Sequence, residues 1–327
     1  MADTKTNAHP WGWLRRRLFG LSVEEVSCAR RGFPPGPPEI RAQIDQIGRS
    51  FVEGYHTALD EPEAEPLASR LNEAPLEFRG FAFEGAAMAL ALLDRLAPWR
   101  RDRWLTFARG PAAHHVYMVH VGLGWALARL RVRVDHALSK LDPLLGWLVV
   151  DGYGFHDGYF HWRQAVDRQV VPPRLSGYAL RAYDQGLGRS LWFVRTANPD
   201  TIRETIAAFP AARQSDFWSG VGLACTYAGG APDEAIAQLA EAAGSFRWHA
   251  AQGAAFAAKA RVLAGNLVEH TERACRILCG CDAHAAARLT DDALSDLPPD
   301  EPDRPAYEVW RNRIRSLLAQ STSLCPT

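Results

Sequence analysis

Along the 327-residue chain a glycine followed two positions later by glycine or alanine recurs in apolar surroundings at nearly even intervals. The marks are Glu84-Gly85-Ala86-Ala87, Val121-Gly122-Leu123-Gly124, Asp151-Gly152-Tyr153-Gly154, Gln185-Gly186-Leu187-Gly188, Ser219-Gly220-Val221-Gly222 and Gln252-Gly253-Ala254-Ala255. Their leading glycines are separated by 37, 30, 34, 34 and 33 residues, close to the period of helical hairpin repeats. Glycine inside a helix costs roughly 1 kcal/mol relative to alanine, so repeated small residues there require a packing reason, and close helix crossing supplies one.

Between the marks run short amphipathic segments such as Asp200–Phe209 and Asp233–Ala243, bounded by Pro199, Pro210, Gly229-Gly230-Ala231-Pro232 and Gly244. They read as the second helices of hairpins. Trp218, Gly222, Ala235 and Leu239 are similar to one tetratricopeptide unit, with Cys225 in place of the expected aromatic residue. Strand signals are short, at Val132–Val134 and Val170-Val171. The expectation is an all-α chain: a tetratricopeptide-like stack of about six helical hairpins over 78–297. An N-terminal capping segment (1–77), containing the proline-rich linker Phe33–Pro38, precedes it. A linker and a last helix carrying Trp310, Ile314 and Leu317 on one face (298–327) follow.

Lys plus Arg and Asp plus Glu each number 37, so no net field favours nucleic acid. The six scattered cysteines do not form the framework of a small secreted domain, and Leu18–Leu21 is followed at once by Glu24 and Glu25, leaving no export signal. A cytoplasmic protein with reduced thiols is expected. The uncharged stretch Gly110–Ala128 contains a proline, three histidines and several glycines and reads as a buried helix, not a membrane span. Arg15, Arg16 and Arg17 read either as a run that touches a membrane surface or as a solvated helix end; the latter is the expectation, so membrane contact is not expected.

In a helical stack, equivalent positions of successive units form a column. The residues leading the marks are Glu84, Val121, Asp151, Gln185, Ser219 and Gln252, and their polarity reads either as a polar inner surface or as the wet edge of each helix. The richest segment for chemistry is Asp151–Trp162. At helical spacing Asp157 and His161 are i, i+4 neighbours able to pair for proton transfer or to tie hairpins together, while His156 faces aromatic residues as a lone acid or base or as a core histidine. Asp184 and Arg189 lie five residues apart on different helix faces, so each is expected to pair with a neighbouring unit or, for Arg189, to hold an anionic ligand group. No phosphate loop, dinucleotide fingerprint or nucleophile elbow is present. His114, His115 and His120 lack metal-ligand spacing; Cys275, Cys279, Cys281 and His284 come nearer to a zinc set, but Cys279-Gly280-Cys281 is not the usual knuckle, and the cysteines read as buried thiols near a turn. No cofactor or metal is expected.

Over the stretches Arg79–Leu90, His120–Arg129, Leu141–Leu145, Asp151–His156, Asp184–Trp192 and Trp218–Ala224, the chain resembles the UnbL-like proteins encoded beside enediyne polyketide synthases. The likeness runs from about Leu14 to about Leu297. It implies an accessory role in converting a linear polyene, or a related polyketide-derived molecule, into an enediyne core, and it assigns no role to any residue. Joined to the column, it suggests an aromatic channel of Tyr153, Phe155, Trp192, Trp218 and Phe256. There Asp157 and His161 would act as an acid-base pair, with Glu84 and Asp151 as further carboxylates and Arg189 securing a polar end. The rival expectation is a non-catalytic repeat protein that docks the synthase or another accessory protein.

Overall fold

The computed structural model describes residues 11–96, 102–173, 175–301 and 304–323, and its regular elements are all helical. Helix α1 (Gly12–Phe19) and the one-turn α2 (Cys28–Arg31) lead into α3 (Pro38–Asp60). Longer and shorter helices then alternate: α4 (Ala64–Leu71), α5 (Leu76–Leu96), α6 (Arg103–Arg109), α7 (Val116–Arg129), α8 (Val134–Leu138) and α9 (Gly146–Phe160). After a π turn at Arg163–Asp167 the alternation resumes with α10 (Tyr178–Val194), α11 (Pro199–Ala207), α12 (Ala211–Ala228), α13 (Asp233–Ala242), α14 (Arg247–Leu263) and α15 (Glu269–Cys279). Helices α16 (Ala283–Asp292) and α17 (Ala306–Ser323) complete the chain. The expected all-α array is present, and among the described residues no helix is long and apolar enough to cross a membrane. Cys28, Cys225, Cys275, Cys279 and Cys281 are free thiols; Cys325 lies outside the described residues.

The long helices α3, α5, α7, α9, α10, α12 and α14 pack one against the next in chain order, with short helices such as α11, α13 and α15 forming a second row. The small-residue marks explain how. A Cβ on Gly122 would stand 2.2 Å from the carbonyl oxygen of Glu84, one on Gly152 2.2 Å from that of Val121, and one on Gly186 2.0 Å from that of Asp151. Likewise Gly220 meets Gln185 at 2.0 Å and Gly253 meets Ser219 at 1.9 Å. Every leading glycine therefore sits on the backbone of the column residue one helix earlier.

The second small residue does the converse. A Cβ on Gly124 would meet the carbonyl of Val149, one on Gly154 that of Tyr183, one on Gly188 that of Phe217 and one on Gly222 that of Ala250, each in the following helix and each at 2.0 to 2.2 Å. Two residues turn a helix by about 200°, so one mark opens both opposite faces of its helix to a close neighbour. The register begins one helix earlier than the marks do. Gly85 rests on Phe51 of α3, and Gly54 of α3 rests on Ala82 of α5. Val52, fully buried, holds the place of the leading glycine there.

The row curls until early helices meet late ones. Gln43 Nε2 donates to the Ala228 carbonyl at 3.1 Å, Arg261 Nη1 donates to the Leu76 carbonyl at 3.4 Å, and Phe81 meets Tyr227 edge-on with centroids 5.2 Å apart. The side chains enclosed by the curl form one continuous core. Helix α17 closes the curl, with Trp310 Nε1 donating to the Thr290 carbonyl at 2.7 Å and its ring packed on Phe256 at 4.6 Å.

Candidate functional site

The column is neither a wet edge nor an open surface: Glu84, Asp151, Gln185, Ser219 and Gln252 are all buried. Asp151, Gln185, Ser219 and Gln252 form a hydrogen-bonded spine across α9, α10, α12 and α14. Gln185 Nε2 donates to Asp151 at 2.7 Å, Ser219 Oγ donates to Gln252 Oε1 at 2.9 Å and lies 3.3 Å from Gln185 Oε1, and Arg311 Nε of α17 reaches Gln252 Oε1 at 3.1 Å. The close crossings that place consecutive column residues side by side are what make these contacts possible.

At one end of the spine Arg189 forms a buried ion pair with Asp151, its guanidinium stacked 4.7 Å from the Phe155 ring. Glu84 completes this cluster from α5. Burial pushes its carboxyl up to about 8, with Arg189 pulling the other way. Its Oε1 has no hydrogen-bond partner, nor do the Trp125 indole nitrogen, Arg189 Nε or the Tyr227 hydroxyl. Two small cavities flank the cluster. One, of about 30 Å3, is lined by Tyr117, Met118, Asp151, Arg189, Tyr227 and Phe256, among others. The other, of about 20 Å3, is lined by Phe51, Phe81, Glu84, Trp125, Phe155 and Phe193, among others. Each has room for about one water.

At the other end, α17 brings a second set of charges. Arg311 Nη1 bonds Asp216 at 2.7 Å and Glu308 at 3.1 Å, and Tyr178 donates to Glu308 at 2.8 Å. Burial alone would raise the Glu308 carboxyl, but Arg311, Arg181 and Arg315 together hold it down to about 2.

Among the described residues there are shallow depressions of about 550 Å3 beside α17 and about 520 Å3 beside α15 and α16, and a more enclosed cleft of about 430 Å3 where the segment after α7 and the segment preceding α10 meet the sides of α9 and α10. Val132, Val134, Val170, Val171, Pro172 and Leu175 supply apolar walls, with Tyr153 and Tyr183 beside them. Asp157 and His161 both face it. They are not the expected pair, because α9 ends at Phe160 and His161, at φ −122° and ψ 30°, has left helical geometry. Asp157 instead accepts from the Tyr183 hydroxyl at 3.1 Å and lies 3.3 Å from Nδ1 of His156. Burial lowers the imidazole of His156 and raises the phenol of Tyr183 well above its usual range. With its proton on Nδ1, His156 can donate to Asp157.

The sequence-derived residues thus divide between two places. Glu84, Asp151, Arg189, Phe155 and Phe256 gather around the buried cluster, whereas Asp157, His161 and Tyr153 face the cleft, with His156 behind Asp157. Trp192 is a core residue whose indole donates to the Gly229 carbonyl at 3.1 Å, and Trp218 is buried as well. The single aromatic channel expected around all of these residues is not formed. Asp184 pairs with Arg213 of the next long helix, Arg213 Nε donating at 2.8 Å, and burial raises its carboxyl to about 6 against that pairing. The sequence reading did not single out Trp125, Tyr183, Asp216, Tyr227, Glu308 or Arg311. A polar residue just ahead of an apolar run was an available signal for Asp216, whereas Arg311 sits among Glu308, Asn312, Arg313 and Arg315 of a largely polar helix and carried none. Among the described residues no group of three or more potential ligands gathers to hold a metal ion.

Searches of curated proteins and of solved structures find no match. One protein family, described as protein of unknown function (DUF1702), matches residues 10–318. That span takes in α1, the whole curled row and most of α17, so the buried spine and the cleft both lie within the matched region, and the chain belongs to this family.

Proposed function

We propose that the protein is an accessory factor of enediyne biosynthesis that binds the linear polyene released by the polyketide synthase in the cleft beside α9 and α10. The observation that carries this reading is the cleft itself: its volume of about 430 Å3 falls in the range of small-molecule sites, and it pairs apolar walls with two proton-active side chains. A conjugated chain is flat and apolar, and the valine, proline and tyrosine surfaces suit it. Asp157 is braced from behind by His156 and at its side by Tyr183, which fixes a carboxylate oxygen at the wall. His161 faces the same space from the end of α9. One group can accept a proton while the other donates, with the polyene between them. Arg131 and Arg133 at the rim would attract an anionic end.

The alternative reading, a repeat protein that docks the synthase, usually relies on an open concave surface. Here α17 occupies the inside of the curl, which favours a small ligand over a docked chain.

The test is incubation of the purified protein with the released linear polyene. The expected result is a new absorbing species, with Asp157→Asn and His161→Ala each slowing its formation at least about 100-fold. A spectral shift without conversion, unaffected by either variant, would leave binding alone. No change in the polyene spectrum at all would overturn the proposal.

A further inference from the structure

Helix α1 docks mainly through a glycine and two arginines, with Phe19 packing on the core at its end. A Cβ on Gly12 would lie 3.1 Å from the Asp60 backbone, Arg16 Nη1 bonds Asp60 at 3.0 Å, and Arg15 Nη1 reaches the Leu59 carbonyl at 3.4 Å. The Tyr55 hydroxyl, donating to the Phe19 carbonyl at 2.9 Å, fastens its end.

At about 100° per residue the opposite side carries Trp13, Arg17, Leu14 and Leu18, with Trp11 at its margin just before the helix. Trp11, Trp13 and Leu18 are 60%, 65% and 63% exposed. Among the described residues only four other large apolar side chains are exposed, and those four are scattered at Leu76, Leu96, Leu105 and Val170. Three of the seven exposed large apolar side chains among the described residues therefore lie in or just before this one eight-residue helix, beside three consecutive arginines.

We infer that α1 is a membrane-surface anchor, which seats Trp11, Trp13 and Leu18 at the headgroup level of an anionic bilayer. Indole rings favour that depth because their apolar body and N–H donor meet different surroundings there. Arg17, exposed on the outward side, and the flanks of Arg15 and Arg16 supply the positive charge that an anionic headgroup layer attracts. The helix lies along the surface and does not enter the bilayer core. This inference stands on residues remote from the polyene cleft and does not depend on that reading.

Flotation of the full chain with vesicles tests it, using phosphatidylcholine alone and phosphatidylcholine mixed with phosphatidylglycerol. The expected result is co-flotation with the mixed vesicles, loss of it at high salt, and a blue shift of tryptophan emission. Trp11→Ser with Trp13→Ser should weaken binding roughly tenfold or more, and Arg17→Gln about fivefold. These variants leave Gly12, Arg15 and Arg16 on their docking contacts, and an unchanged circular dichroism spectrum confirms the fold. The inference is overturned if the wild-type chain stays with the unbound fraction, or floats equally with neutral vesicles. It is also overturned if the double tryptophan variant floats as well as the wild type. A fourth contrary result is that the variant converts a dimer to a monomer without any change in flotation, which would make the patch a contact between two copies.

Discussion

Glu84 is the residue whose titration should be most visible in solution. Its carboxyl is pushed up to about 8 by burial, whereas in the unfolded chain it ionises near the ordinary glutamate value, about 4.3. The unfolded chain thus releases this proton first, so the stability contributed by protonated Glu84 is full below that value and falls as pH rises towards 8. Burial lowers His115, His249 and His270 to about 4, and these act in the opposite direction, removing stability as pH falls from about 6.5. Glu84→Gln should therefore remove a loss of stability that runs from about pH 4.3 to 8, flattening the decline in thermal midpoint between about pH 6.5 and 8 and steepening its net rise with pH between about 4.3 and 6.5, where the histidines act. Equal slopes for wild type and variant above pH 6.5 would show that Glu84 is ionised in the fold. The same cluster shows what residue type alone conceals. The sequence joins Glu84, Asp151 and Arg189 in one site through the column and the resemblance, but residue type does not reveal that they meet in a closed, buried cluster and not along an aromatic channel.

At the scale of the helix, the two-residue spacing within each mark is the element of the fold most legible in the sequence, since it recurs at nearly constant intervals and has few explanations other than backbone contact. The start of the row was not legible, because Val52 takes the place of the glycine and hides α3 from any search for the pattern. The pairing of Asp157 with His161 failed for a local reason: the i, i+4 argument assumes that the helix continues, and α9 stops one residue short. Gly220 gives the sharpest check on the crossings, since an added Cβ would meet a carbonyl oxygen of the neighbouring helix at 2.0 Å. Gly220→Ala should cost about 3 kcal/mol or more by urea unfolding, because the two backbones must part. Gly265→Ala, at φ +62° with nothing within 4 Å, should cost only about 1 kcal/mol from its left-handed backbone. Equal costs would mean that the marks do not bear on one another.

For the molecule as a whole, the curl needs α17. The helix was recognisable in the sequence from Trp310, Ile314 and Leu317, but its polar side, which matters most to closure, was not, since Asp216 and Arg311 are 95 residues apart. Arg311 is fully buried and tied to Asp216, Glu308 and Gln252 at once. Arg311→Met should lower stability by about 3 to 5 kcal/mol, because it strips one cation from two buried acids. A fall below about 1 kcal/mol would show that Arg181 and Arg315 suffice to hold α17 in place. A ribosome delivers α17 only after every helix that it closes. Until then the growing polypeptide holds Asp216 and Gln252 without the guanidinium that completes them, and its interior apolar seam lies open to chaperones and proteases. Closure of the curl therefore waits on α17, and a chain broken before Ala306 would leave uncovered the seam that this helix fills.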